Sequence, residues 1–138
     1  MGREIPDLIP DPHPDGSIIV VIATDAPLIS LQLKRIAKRA ALGIGRIGGF
    51  ASHVSGEFCI AFSTRTIFPR KSSSLTVQLE LLRDQYLDPL FEATVEATEE
   101  AIINSLMQAT DMCGRDGHLV HALPLDRLYR MLKKQGLA

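Results

Sequence analysis

Ser17-Ile18-Ile19-Val20-Val21-Ile22-Ala23 is the stretch on which the fold turns. It is β-branched and apolar at both odd and even positions, so both sides of a strand here would be apolar. A strand of that kind is covered on two faces and lies centrally in a layered fold. Downstream, Thr24-Asp25-Ala26-Pro27 reads as a helix start. Asp25 can cap free amides and Pro27 is tolerated in a first turn. The helix is expected to run to about Ala41, with Leu33, Ile36, Ala37 and Ala40 inward and Gly43 as its stop. Lys34, Arg35, Lys38 and Arg39 read as a solvated face.

Upstream, residues 1–16 carry Pro6, Pro10, Pro12 and Pro14. Proline fixes φ and removes a donor, so this segment reads as an extended, exposed lead-in. Residues 43–56 are glycine-rich. A second strand is expected over residues 57–63, a loop from Arg65 to Ser74, and a short strand at 75–79. Leu87, Leu90, Phe91, Thr94, Val95, Ile102 and Leu106 recur at three- and four-residue steps and predict a long helix over about 88–112. Gly114 is its expected stop. Pro124 opens a final helix with Leu125, Leu128 and Leu132 inward. The strand–helix–strand–helix order is that of an α/β or α+β fold.

The chain has 138 residues, 46 % of them hydrophobic, and a net charge of −1. That length suits one domain: the lead-in of 1–16 followed by a domain over 17–138. The charge excludes a broad field for nucleic acid or anionic membrane. No apolar run approaches the roughly 18–20 residues of a membrane span. The first residues lack the apolar core of a signal peptide, a mild preference for the cytoplasm. Cys59 and Cys113 form neither a disulfide framework nor a metal motif and read as small buried packing.

Gly43, Gly45 and Gly48 spell a literal G-x-G-x-x-G, but after a helix rather than a strand. They read as permitting tight backbone turns. His118 and His121 form H-x-x-H with nothing to complete a metal set. His13 and His53 belong to no recognisable Ser-His-Asp arrangement. Ser17 stands apart. It sits where the proline segment meets the strand, directly after a glycine. A serine there can attack the carbonyl of Gly16, shift the acyl group from nitrogen to oxygen and leave a new amino terminus after hydrolysis. The freed α-amine, with an ordinary pKa near ~8, can then serve as the serine's own base.

The stretch Asp15-Gly16-Ser17 through Thr24-Asp25-Ala26-Pro27-Leu28 resembles the L-aminopeptidase/D-esterases and β-peptidyl aminopeptidases, the DmpA-like self-cleaving serine peptidases. The resemblance continues through Gln32-Leu33-Lys34-Arg35, Ser55-Gly56-Glu57, Ala61-Phe62-Ser63-Thr64 and Leu87-Asp88-Pro89-Leu90-Phe91. It includes Ala93 to Ile102, and Gly114-Arg115-Asp116-Gly117-His118 with Ala122-Leu123-Pro124 close it. It implies a four-layer αββα sandwich. It implies self-cleavage between Gly16 and Ser17, with the residues from Ser17 onward as the catalytic small subunit. The family's serine and downstream carboxylate match Ser55 and Glu57. The former would bond Ser17 or its α-amine; the latter would hold Ser55 and receive the substrate's amine. An upstream large subunit would supply an oxyanion-hole asparagine and much of the pocket. The implied substrates are small peptides, amides or esters with a free amino terminus, the implied assembly is a homo-oligomer, and no cofactor or metal is implied. An acyltransferase of the ornithine acetyltransferase type shares this fold but usually carries threonine where Ser17 stands. A non-enzymatic alternative is an inert fragment that only assembles with an upstream partner.

Overall fold

The computed structural model describes residues 16–137. The prolines and His13 of the lead-in lie outside that range. Strand β1 (Ser17–Thr24) leads through helix α1 (Ser30–Arg46) to strand β2 (Gly56–Ser63). The two strands pair in parallel, with Ser17 opposite Gly56 and Thr24 opposite Ser63. Helix α2 (Asp88–Gln108) follows, then strands β3 (Met112–Cys113) and β4 (Leu119–Val120), and helix α3 (Leu125–Lys134). The chain divides into two compact units, with the boundary inside α2 after Glu100.

In the first unit the even-numbered residues of β1 are half-buried, on the side where Ile22 packs against the cluster that includes Ile36 of α1, and the odd ones are exposed. Leu28, Ile36 and Leu87 are fully buried, packed by Ile22, Ala61, Leu82, Leu90 and Phe91. The expectation of a strand covered on both faces is met on one face only. Ile19, Val21, Phe58, Ile60 and Phe62 stand exposed on the other.

Helix α1 starts later than the sequence suggested, and the reason lies in the connector. The carbonyl of Ala26 accepts from Ser63 Oγ at 2.6 Å, that of Pro27 from the Leu82 amide at 2.9 Å, and that of Leu28 from Thr66 Oγ1 at 3.1 Å. Oxygens engaged at long range are withdrawn from a helical ladder, so the first helical bond runs from Leu33 N to Ile29 O. Buried Gln32 then ties the helix start to its surroundings. Its Oε1 accepts from Ile29 N at 3.2 Å, and its Nε2 donates to Leu82 O at 2.8 Å and Asp84 Oδ1 at 2.7 Å.

Gly43 does not stop α1. It is buried inside the helix, and an added Cβ would lie 2.6 Å from the Val95 carbonyl oxygen and 2.8 Å from Thr98 Cβ. Its lack of a side chain is what lets α1 and α2 approach. Facing it, buried Thr94 and Thr98 satisfy their hydroxyls within α2, on Leu90 O and Thr94 O, both at 2.7 Å. The actual stop comes at Gly48, at φ 101°, with amides of Gly48 and Gly49 closing onto Gly45 O and Ile44 O. The basic face of α1 is only partly solvated. Arg39 lies 3.8 Å and Arg35 5.2 Å from the Phe91 ring centre, and Arg35 also bonds Asp84 at 3.0 Å.

No strand forms over 75–79. Helix α2 ends at Gln108, short of the expected 112. Three residues on, Asp111 accepts from the Ala122 amide at 2.8 Å and meets His121 Nδ1 at 3.1 Å. The Ala122 amide, and after it His121, hold its carboxyl below the ordinary value of 3.8. The β3–β4 hairpin lies just inside that closure, turning through Asp116 and Gly117 at positive φ. Cys113 is exposed on β3 rather than buried, while Cys59 is half-buried on β2; both are free thiols. On α3, Leu128 and Leu132 are half-buried, whereas Leu125 is exposed.

Candidate active site at the head of the parallel strand pair

Ser17 is the first residue of β1 and is exposed. Its position follows from the sequence change after Gly16: an apolar β-branched run follows, and the pairing with β2 begins at Ser17 itself. The parallel register sets Gly56 opposite Ser17 and Glu57 opposite Ile18. Residues directly opposite share a face, so the Ser17 side chain lies on the exposed apolar side of the sheet and Glu57 on the helix side. The Gly56 amide donates to Ser17 Oγ at 3.3 Å.

Ser55 is half-buried and precedes β2 in a turn closed by its own amide on Ser52 O at 3.0 Å. Its Oγ lies 3.9 Å from where a Cβ on Gly16 would stand. The structure therefore brings Gly16, Ser17, Ser55 and Gly56 together at the head of the sheet. Glu57 is one residue beyond, on the other side of the sheet from the Ser17 hydroxyl. Among the described residues no hydrogen bond joins the side chains of Ser17, Ser55 and Glu57.

Burial pushes the Cys59 thiol above its ordinary pKa, and the charge of Glu57, two residues away on the same strand face, adds to the shift. That thiol is held protonated and is a poor nucleophile. His53 is exposed in the loop two residues before Ser55, His118 is exposed, and His121 is engaged with Asp111 at 3.1 Å. Among the described residues no group of three or more His, Cys, Asp or Glu can hold a metal ion. No helix among them is long and apolar enough to cross a membrane. The contribution of Gly56 was not legible from residue types, since its donor is a backbone N–H. Only the register reveals it.

The model of peptidase family S58 matches residues 1–120. Over 120 residues the chain is 45 % identical to a β-peptidyl aminopeptidase BapA of Sphingosinicella microcystinivorans, covering 87 % of this chain and 30 % of that protein. Among solved structures, a protein of Pyrococcus horikoshii OT3 superposes with a TM-score of 0.82 at 47 % identity, covering 88 % of this chain and 34 % of that one. The L-aminopeptidase D-Ala-esterase/amidase of Ochrobactrum anthropi, described as a prototype for the serine aminopeptidases and a variant of the Ntn hydrolase fold, superposes with a TM-score of 0.81 at 43 % identity. That match covers 88 % of this chain and 35 % of that one. The chain thus spans about a third of the length of the relatives it matches. Its mixed α/β architecture is that of Ntn-hydrolase-fold aminopeptidases, and the chain belongs to peptidase family S58.

Proposed function

We propose that this chain forms the catalytic small-subunit region of a self-processing aminopeptidase whose nucleophile is Ser17. The observation that carries the reading is the juxtaposition at the strand head: an exposed serine opening β1, preceded by Gly16, with Gly56 N–H on its oxygen and Ser55 beside Gly16. The family membership and the names of the relatives support the same chemistry.

In self-processing, Ser17 Oγ attacks the Gly16 carbonyl carbon. The new C–O bond forms, the C–N bond to Ser17 breaks, and the hydroxyl proton passes to the departing nitrogen. Water then cleaves the ester and releases the Gly16 carboxylate. The exposed Ser17 amine now stands next to its own hydroxyl and acts as general base for attack on a substrate acyl group. Ser55 holds that amine. Glu57, two residues further along, is the carboxylate for the amino terminus of the substrate. Substrates of this reading are small peptides, amino-acid amides or esters with a free amine, the chemistry that the relatives' names describe.

The exposed sheet face sets the partner in this reading. Ile19, Val21, Phe58, Ile60 and Phe62 form the inner side of a half-sandwich. An upstream large subunit, in the share of the relatives' length that this chain does not span, supplies the facing sheet and completes four αββα layers. It also supplies the oxyanion donors, and the finished enzyme is a homo-oligomer.

The test is the complete gene product with Ser17→Ala. Intact-mass spectrometry of the unsubstituted protein is expected to give a fragment beginning at Ser17. The Ser17→Ala protein is expected to stay uncut and to lose hydrolysis of aminoacyl p-nitroanilides. Full activity in that variant sinks the mechanism.

A further inference from the structure

We infer that the Gly56 backbone N–H is a dedicated donor to the nucleophilic oxygen of Ser17, one that stabilises charge on Oγ during both bond making and bond breaking. The inference rests on the nucleophile reading of Ser17 and adds a group that residue types alone do not reveal. It starts from the 3.3 Å bond between Gly56 N and Ser17 Oγ. That bond is a product of the register: Ser17 and Gly56 are the first paired residues of their strands, so both sit where the ladder opens.

The charge on Oγ varies through the reaction. As the serine attacks, Oγ gives up its proton while its new bond to carbon is incomplete, and it carries partial negative charge. In the acyl-enzyme the same atom is an ester oxygen, a weak acceptor. When water breaks the ester, Oγ is the leaving atom and gains charge again. A fixed N–H on this atom is thus strongest in the two transition states and weakest in the intermediate between them. An interaction with that profile accelerates chemistry rather than binding. It also fixes the Ser17 side chain on the exposed side of the sheet, which leaves Ser55 and the Gly16 backbone to the amine. The two sides of the strand head then have separate tasks: Gly56 tends the oxygen and Ser55 tends the nitrogen.

Glycine at this site does not owe its place to crowding within the chain, since an added Cβ would meet nothing within 4 Å. Alanine and proline can therefore be compared at position 56. Gly56→Ala keeps the N–H; Gly56→Pro removes it, at the first residue of a strand where proline is tolerated. An ester in place of the Ser55–Gly56 amide, made by semisynthesis in the complete gene product, removes the same hydrogen without any ring. In the complete gene product, removing one such donor is expected to slow self-cleavage and kcat by about tenfold to a hundredfold, the worth of one hydrogen bond to a charged atom. KM should change by no more than about twofold, because substrate binding does not use the bond. Alanine is expected to run at least tenfold faster than proline.

A second readout is independent of turnover. With glycine amides labelled by ¹⁵N, the Gly56 amide should exchange with solvent several-fold faster in Ser17→Ala than in the parent chain. Equal kcat for the ester and the amide, or a Gly56 amide indifferent to Ser17→Ala, overturns the inference. The underlying reading fails separately, through an active Ser17→Ala. A dead Ser17→Ala beside a full-speed ester variant removes the donor alone and leaves the nucleophile standing.

Discussion

Both faces of the β1–β2 sheet carry β-branched apolar residues of β1, and their circumstances are opposite. The helix side carries Ile22 and Ala61 against Leu28, Ile36 and Leu87, which are 1 %, 1 % and 0 % exposed, and Ile18 and Val20 are half-buried on the same side. The other side carries Ile19, Val21, Phe58, Ile60 and Phe62, and Phe58 is 73 % exposed. Each large apolar side chain is worth roughly 1.5–3 kcal/mol on full burial. One face is therefore a core in this chain, and the other is apolar and uncovered in it. Apolar pattern reports what a face is built to touch, and only the packing reports whether it touches it.

The sharpest contrast comes from truncating the packed side. Leu87 is completely buried just ahead of α2. Leu87→Ala removes its contacts with the α1 and β1 residues and leaves a cavity, so a loss of about 2–5 kcal/mol is expected in urea unfolding of the chain. A loss below about 1 kcal/mol would mean that the helix layer is not a true core, and the difference between the two faces would collapse.

A smaller effect probes how tightly the helix layer is closed. Gly43→Ala puts a methyl 2.6 Å from the Val95 carbonyl oxygen, a backbone atom that cannot swing aside. The expected cost is about 1–3 kcal/mol. Gly45 lies two residues on in the same helix, and a Cβ there meets nothing within 4 Å. Gly45→Ala should instead stabilise the chain by roughly 0.5–1 kcal/mol, through helix propensity. Equal thermal shifts for both variants would show that α1 and α2 are not in close contact at Gly43.

Much of this arrangement was legible in the sequence because it rests on local pattern. The β-branched run gave β1 its start at Ser17 and the three- and four-residue spacing gave α2 its place. Long-range bonds account for what was hidden. Asp25 and Pro27 carry the signals of a helix start, yet Ser63, Thr66 and Leu82 take the connector's carbonyls and delay α1 to Ser30. Gly43 looked like a helix stop because glycine is ambiguous between ending a helix and letting another approach it. Arg35 and Arg39 looked like solvated charges because the ring of Phe91 is more than fifty residues away in sequence. At the candidate site, Ser17 was singled out by its place where the proline segment meets the strand, and Ser55 and Glu57 through family resemblance. Their division between two faces, and the Gly56 amide, required the register.

The smallest expected effect belongs to the bare face and tests the comparison from the other side. Phe58→Asp replaces a side chain that is 73 % exposed, so in the isolated chain nothing packed is lost. Its unfolding free energy should move by no more than about 0.5 kcal/mol. At the same time, fluorescence of a dye that binds apolar surface should fall, because a charge now interrupts the patch. In the complete gene product the same carboxylate would be enclosed between two sheets without a partner, and assembly should fail. One substitution is thus near silent in the part and disruptive in the whole. A loss of more than about 2 kcal/mol in the isolated chain would mean that Phe58 is already packed there. Undisturbed assembly of the complete protein would mean that no facing sheet covers it, and the half-sandwich would have to be its own final form.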